Sequence, residues 1–155
     1  MVEVGIVVGS KSALPVMQTC ADILGELGVE SELRVLSAHR TPALLGEWAR
    51  GARERGLKVI IAGAGMAAHL PGAAAAWSTL PVIGVPLASG HLNGLDSLLA
   101  IVQMPPGVPV ATVAVGEAGA KNAAYLAAQI IGLARPEVAE KYQELRNSFV
   151  EAARS

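Results

Sequence analysis

Val59-Ile60-Ile61-Ala62, which continues into Gly63-Ala64-Gly65, is the stretch that decides the fold. A strand that is apolar at every position is typical of a parallel sheet covered on both faces. Similar apolar runs predict four more strands, at residues 2–8, 31–36, 81–85 and 108–115. Helical patterns separate these runs, and strands that alternate with helices form a doubly wound parallel sheet. The predicted fold class is therefore α/β, a five-stranded sheet with helices on both faces.

The segments between the strands carry ordinary helix start and stop residues. Ser12 is a favourable N-cap, Pro15 is tolerated in a first turn, and Gly28 is a C-terminal stop. Further helices are predicted at residues 43–55, 67–78, 94–104 and about 120–134. No linker or repeat interrupts the pattern, so residues 1–155 are expected to form one domain.

The last predicted helix, at about residues 136–154, follows the final strand and has no sheet position left to cover. Its apolar residues recur at spacings of four, three and four, which places them on one face: Val138, Tyr142, Leu145 and Phe149. We predict that this face docks on a neighbouring subunit. Packing back on its own domain is the alternative.

Composition narrows the classes of function. The chain is 52% hydrophobic and 16% charged, with a formal net charge of -1. This balance, without a basic run, argues against nucleic acid as a partner. The lone Cys20 cannot form a disulfide within the chain, so it is expected to be a core residue in a reducing cytoplasm. The first residues fit a strand and not a leader, which agrees with a cytoplasmic location.

Residues 59–95 contain no Asp, Glu, Lys or Arg. A charge-free segment of this length raises the question of a membrane span. Gly and Pro residues divide it into strand and helix lengths, so the sequence predicts no span. Instead, helices of this segment are expected to be covered by other subunits of a homo-oligomer.

Four loops that follow predicted strands are polar or rich in glycine: 9–12, 37–40, 63–69 and 89–93. The carboxyl ends of parallel strands meet at one edge of the sheet, where ligands bind. His39 and Arg40 are adjacent in the second loop. His carries a proton that moves near neutral pH, and Arg offers a fixed fork to phosphate or carboxylate. Ser10 and Ser12 precede a helix and fit an anion site, although for this loop taken alone capping of that helix is the simpler role.

Other kinds of site are less well supported by the sequence. Residues 63–68 match the G-x-G-x-x-A fingerprint, but no acidic residue follows about 20 positions later to hold the ribose of a dinucleotide. The three histidines have no metal-ligand spacing, so no metal is expected. The residues therefore predict a phosphate-bearing small molecule held by Ser10, Ser12 and Arg40, with His39 as the proton carrier.

Several motifs together resemble one family, the N5-carboxyaminoimidazole ribonucleotide mutases (PurE enzymes) of purine synthesis. The motifs are Gly9-Ser10-Lys11-Ser12, Ser37-Ala38-His39-Arg40-Thr41-Pro42, Ala62-Gly63-Ala64-Gly65-Met66-Ala67-Ala68-His69-Leu70-Pro71-Gly72, Asn93-Gly94-Leu95-Asp96-Ser97-Leu98 and Gln103-Met104-Pro105. The resemblance implies a flavodoxin-like three-layer α/β/α domain in an octamer, with the final helix reaching a neighbour. It also implies movement of a carboxylate from the exocyclic nitrogen to C4 of an aminoimidazole ribonucleotide, without metal, ATP or organic cofactor.

The resemblance also implies roles for individual residues. His39 would be the general acid and base, and Arg40, Ser10 and Ser12 would hold the ribose phosphate. The remaining substrate-binding positions that it implies are Ser37, Ala38, Gly63, Ala64, Gly65, His69 and Leu70. Two further positions in the site, Ala13 and Met66, depart from the family pattern, which has Asp and Gly there.

Three alternatives to the mutase remain open at this point. The first is direct carboxylation of aminoimidazole ribonucleotide by carbon dioxide, although enzymes of that branch lack the Ala-Ala-His-Leu-Pro-Gly pattern that ends at Gly72. The second is a non-catalytic nucleotide-binding protein, because Ala13 offers no acceptor to a ribose hydroxyl. The third is a flavin carrier, which the scarcity of aromatic residues near these loops disfavours.

Overall fold

A computed structural model describes residues 1–154 of the protein. Within them lie five strands: β1 (Val4–Val8), β2 (Ser31–Val35), β3 (Val59–Gly65), β4 (Val82–Leu87) and β5 (Ala111–Thr112). A 3-10 turn at Lys11–Ala13 precedes the first of six helices: α1 (Leu14–Glu26), α2 (Pro42–Arg50), α3 (Leu70–Trp77), α4 (Leu95–Val102), α5 (Glu117–Gly132) and α6 (Pro136–Arg154).

The strands form one parallel sheet in the order β2-β1-β3-β4-β5. Apolar residues of α1 and α5, such as Met17 and Ala124, are buried on one face of the sheet. Those of α2, α3 and α4, such as Leu45 and Ile101, are buried on the other. The structure therefore confirms the predicted three-layer α/β/α architecture, and the order 2-1-3-4-5 is the flavodoxin-like one.

Strand β5 is much shorter than the predicted strand at residues 108–115. Only Ala111 and Thr112 pair with β4. Pro109 has no N–H to donate to β4, and Pro86 has none to donate toward β5, so the regular pairing between these two strands stays short. Hydrogen bonds from Val113 to the Gly84 carbonyl and from Gly116 to the Pro86 carbonyl still hold the following segment beside the sheet.

Several predicted boundaries are wrong for local reasons. The Ser12 side chain does not cap α1, because Ser12 lies in the 3-10 turn and its hydroxyl bonds to that of Ser10. Helix α2 ends at Arg50 and not near residue 55, with turns from Gly51 to Gly56, where φ is +92°. Strand β3 continues to Gly65, so α3 begins at Leu70 and not at residue 67.

Helix α6 packs on its own domain over its first half. Val138 is fully buried against the core of the α1 and α5 face, and the Tyr142 ring lies 6.1 Å from that of Tyr125. Farther along, Phe149 and Val150 are 57% and 49% exposed. Packing on the own domain, the alternative in the sequence analysis, therefore accounts for the first half of α6 and leaves the apolar residues near its end uncovered.

A buried carboxylate ties the start of α6 to the sheet. Glu3 is 5% exposed and forms ion pairs with Lys58, at 2.6 Å, and with Arg135. Burial opposes ionisation of this carboxyl, but the hydrogen bonds and charges of Lys58 and Arg135 outweigh it and lower the pKa of Glu3 below its ordinary value of 4.5. Arg135 also donates to the Gly28 carbonyl, after α1, so the cluster joins three segments of the chain.

We expect Glu3→Gln to lower the free energy of unfolding at pH 7 by about 1–3 kcal/mol, because it leaves two cations without their buried partner. A carboxyl with a lowered folded-state pKa stabilises the protein above its unfolded pKa and loses that effect as the pH falls through the folded value. The difference between the two proteins should therefore shrink from pH 7 to pH 3 in denaturant titrations. A difference that stays constant over this range would contradict the role given to Glu3.

Cys20 lies in the core, as the sequence predicts. Its side chain is fully buried, and burial raises the pKa of the thiol to about 12. A thiol in this state is not a nucleophile at neutral pH.

The charge-free segment 59–95 consists of β3, α3, β4 and the loops around them, and it ends at the first residue of α4. None of the helices described between residues 1 and 154 has both the length and the apolar character that crossing a membrane requires.

Candidate active site

The first three strands end around one cavity of about 320 Å³. It lies at the carboxyl edge of the sheet, where β1 is flanked by β2 and β3 and the order of the strands reverses. Ligands of open α/β sheets bind at such a switch point. The residues that line the cavity are Gly9, Ser10, Ala13, Ser37, Ala38, His39, Arg40, Gly63, Ala64, Gly65, Ala67 and Leu70.

His39 and Arg40 lie on a turn after β2 that is held by hydrogen bonds between its own residues. The Ser37 hydroxyl oxygen accepts hydrogen bonds from the backbone N–H groups of His39, at 3.3 Å, and Arg40, at 3.0 Å. The Thr41 hydroxyl accepts from the Ser37 N–H at 2.9 Å and donates to the Ser37 carbonyl at 3.1 Å. The Ser37 and Thr41 side chains therefore hold the shape of the turn from within.

The His39 ring meets a second histidine. Its Nε2 lies 2.8 Å from Nδ1 of His69, and the two rings are nearly perpendicular, at 88°. One of these nitrogens must carry the proton and the other must accept it. This bond fixes the direction of the His39 ring, and within residues 1–154 its other nitrogen, Nδ1, has no hydrogen-bond partner.

Arg40 supplies the positive charge of the cavity. Its Nη2 donates to the Gly9 carbonyl at 3.3 Å, which draws the side chain toward the loop after β1. Among residues 1–154 no carboxylate forms an ion pair with it, so its remaining donors are available to an anion. The Ser10 hydroxyl lies in the same loop, 2.7 Å from that of Ser12.

The glycines of β3 allow close packing behind the cavity wall. A Cβ at Gly65 would lie 2.5 Å from the Ser89 hydroxyl oxygen, and a Cβ at Gly63 would lie 2.8 Å from the Met17 sulfur. Both glycines sit inside the strand, whereas a dinucleotide fingerprint places them in the turn before a helix. The match to G-x-G-x-x-A therefore reflects close packing around β3 and does not indicate a dinucleotide site.

Ten of the thirteen predicted site residues line the cavity, and three do not: Ser12, Met66 and His69. Ser12 and His69 are each hydrogen-bonded to a residue that does line the cavity, Ser12 to Ser10 and His69 to His39. Met66 is 57% exposed and has a φ of +54°, a left-handed conformation that favours glycine.

Two lining residues, Gly9 and Ala67, had no assigned role in the sequence analysis. Their positions next to Ser10 and Met66, in the same loops, are the only feature of the sequence that could have indicated a place in the cavity wall. The fourth polar loop, 89–93, contributes no lining residue. Its Ser89 packs against Gly65 on the side away from the cavity.

Within residues 1–154, no three His, Cys, Asp or Glu side chains come together as a metal site would require. The arrangement offers an imidazole for proton transfer and a guanidinium for an anion. These groups share one turn, and the cavity beside them is large enough for a small nucleotide.

Comparison with known proteins agrees with this arrangement. A model of the AIR carboxylase family matches residues 3–152. The N5-carboxyaminoimidazole ribonucleotide mutase of Vibrio parahaemolyticus is 57% identical over 149 residues, which cover 96% of this chain and 92% of that protein. The mutase of Bacillus subtilis is 59% identical over 145 residues, which cover 94% and 90% of the two chains.

A solved structure shares the fold over nearly the whole chain. The crystal structure of Treponema denticola PurE superposes with a TM-score of 0.88 at 27% identity, covering 99% of this chain and 94% of that one. The family model and these relatives extend over all elements that build the cavity. This chain belongs to the AIR carboxylase family.

Proposed function

We propose that this protein is an N5-carboxyaminoimidazole ribonucleotide mutase, an enzyme of purine synthesis that acts in the cytoplasm. The observation that carries the proposal is the placement of His39 and Arg40 on one turn at the mouth of a small cavity. Relatives at 57–59% identity bear this name. By resemblance, the pattern Ala67-Ala68-His69-Leu70-Pro71-Gly72 is that of the mutase branch, and its His69 bonds His39.

The proposed reaction moves one carboxylate and conserves all atoms. The bond between the exocyclic nitrogen and the carboxylate carbon breaks, its electron pair stays on nitrogen, and His39 delivers a proton there. The released carbon dioxide is attacked by C4 of the imidazole, forming the new carbon–carbon bond. His39 then removes the C4 proton and returns to its starting state. One imidazole can serve both steps because its ordinary pKa is close to neutral.

The cavity wall suits the carbon dioxide step. Gly63, Ala64, Gly65 and Ala67 present small, uncharged surface beside His39. Such a wall holds a small apolar gas near C4 and keeps water away from it. We propose these residues, with Ala38 and Leu70, as the walls around the imidazole and its carboxylate.

Arg40 is proposed to bind the ribose phosphate together with Ser10, with Ser12 as support. Arg40→Ala should weaken binding of the phosphorylated product about ten- to a hundredfold, since it removes hydrogen bonds to a charged group. Calorimetry with the product and with its dephosphorylated nucleoside measures this effect. The exposed Arg53, which bonds Thr79 outside the cavity, provides the control variant Arg53→Ala. An equal loss for both ligands would contradict a phosphate role.

We also propose that the chain works as a homo-oligomer, an octamer by resemblance. Two uncovered apolar surfaces support this. Helix α4 carries Leu95, Leu99 and Val102 on one side, and they are 56%, 51% and 46% exposed. The end of α6 exposes Phe149 and Val150. Exposed apolar residues that cluster in this way mark contact surfaces between proteins.

Phe149→Asn is expected to weaken the oligomer, because it places a polar amide in the proposed contact between subunits. The mass measured by sedimentation velocity should shift toward smaller species as the protein is diluted. Glu144→Gln, an exposed change on the same helix, is the matched control and should leave the mass unchanged. If Phe149→Asn keeps the full mass at every concentration, the end of α6 is not part of the contact.

A further inference from the structure

A second cavity, of about 680 Å³, lies at the edge of the sheet opposite the candidate active site. The end of α3, the start of β4 and the segment before β5 line it. Its volume is in the usual range of small-molecule pockets. Helix α3 runs from one cavity to the other, since Leu70 at its first position lines the active-site cavity and Trp77 at its last position lines the second. The two cavities are therefore separate.

The lining of the second cavity is mainly apolar and includes one aromatic ring. Trp77 lines it with an indole that is 48% exposed, and Pro81, Val108 and Pro109 add apolar surface. Aromatic rings pack on one another in offset or edge-to-face arrangements and cover a large apolar area when they do. The lining therefore suits a ligand with a planar aromatic ring.

Two guanidinium groups adjoin this lining, and no Asp or Glu is part of it. Arg50 lies over the Trp77 ring, 4.4 Å from its centroid, and Arg53 donates to the Thr79 hydroxyl oxygen at 3.2 Å. Within residues 1–154, neither arginine forms an ion pair with a carboxylate. Contact with a ring face does not use the N–H groups at the edge of the Arg50 guanidinium. The charge beside the second cavity therefore favours an anion.

Two hydroxyl groups of the lining are set to donate. The Ser78 hydroxyl oxygen accepts from the Leu80 N–H at 3.2 Å, and the Thr79 hydroxyl oxygen accepts from Arg53. Each hydroxyl keeps its own proton, and hydrogen bonds to an anion are stronger than those to a neutral acceptor. We propose that the second cavity binds a planar aromatic anion, with the ring against Trp77 and the anionic group at Arg50 and the two hydroxyls. The proposal does not rest on the proposed function.

Calorimetric titration with adenosine 5′-monophosphate (AMP) tests the proposal, because AMP combines a planar ring with a phosphate. We expect the unchanged protein to bind AMP with a dissociation constant below about 1 mM. Adenosine lacks the anion and ribose 5-phosphate lacks the ring, so each should bind at least about tenfold more weakly. Trp77→Ala and Arg50→Gln should each weaken AMP binding by a similar factor. Arg40→Ala, which removes the cation of the active-site cavity, should leave AMP binding unchanged.

Intrinsic fluorescence of the unchanged protein gives a second readout that needs no variant. The chain has two tryptophans, and Trp48 is only 9% exposed, so an emission change that saturates at the calorimetric dissociation constant supports binding at Trp77. Loss of AMP binding in the Arg40→Ala protein, with binding kept in the Trp77→Ala protein, would place AMP in the active-site cavity and overturn the proposal. Absence of AMP binding by the unchanged protein would overturn it as well. A shift of the Trp77→Ala protein to smaller species in sedimentation velocity would mean that a second copy of the chain covers the cavity, which would also overturn it.

Discussion

His39→Asn is expected to lower kcat by about two to four orders of magnitude, the range that a positioned acid–base group contributes. Asn keeps a polar side chain of similar size but cannot give up or take a proton near neutral pH. The turn that carries residue 39 is shaped by Ser37 and Thr41 through backbone atoms, so it should survive the change. Product binding by calorimetry should therefore stay within a few-fold, and the loss should appear in turnover.

His69→Asn is the matched control. His69 bonds His39 but does not line the cavity, so its loss removes support for the ring and leaves the proton carrier in place. We expect its kcat to fall by no more than about tenfold. If the His39→Asn protein keeps substantial turnover while the His69→Asn protein loses it, His69 and not His39 is the proton carrier.

Gly119→Ala is expected to cost about 3 kcal/mol or more of unfolding free energy. Gly119 lies in the first turns of α5, and a Cβ there would collide with the Ala114 carbonyl oxygen and lie 2.7 Å from its carbon. The obstacle is backbone held beside the sheet, which cannot rotate away as a side chain can. Overpacking a core commonly costs about 1–3 kcal/mol of unfolding free energy. A clash with backbone should cost at least the upper value, because backbone relaxes less than a side chain.

Gly25→Ala, in α1, separates this clash from the general effect of alanine. Nothing lies within 4 Å of the Cβ that it would add, and alanine favours a helix over glycine by up to about 1 kcal/mol. Urea unfolding of both variants at one protein concentration should show Gly119→Ala far below the parent and Gly25→Ala at or above it. A Gly119→Ala protein as stable as the parent would mean that α5 can move away from Ala114.

The sheet was predictable because its core strands are continuous apolar runs. Val59–Ala62 has no polar face, which indicates burial on both sides, and the breaks between runs are marked by glycine. The ends of the strands were harder to predict. Whether residues 63–65 continue β3 depends on their pairing with β4, and pairing partners distant in sequence leave no local signal.

The candidate site was predictable loop by loop, but its contacts were not. His39 and Arg40 follow a strand, so their place at the carboxyl edge follows from the α/β pattern. The bond from His39 to His69 joins residues 30 positions apart, and the two bonds that occupy the Ser37 oxygen depend on the exact shape of one turn. The same is true of Gly65, where a Cβ would lie 2.5 Å from the Ser89 hydroxyl oxygen.

The most direct test of the proposed mutase is incubation of N5-carboxyaminoimidazole ribonucleotide with the purified protein, without ATP or added bicarbonate, followed by NMR. The account predicts conversion to 4-carboxy-5-aminoimidazole ribonucleotide, and loss of that conversion in the His39→Asn protein. No conversion by the unchanged protein, or product that forms only from aminoimidazole ribonucleotide and bicarbonate, would contradict it.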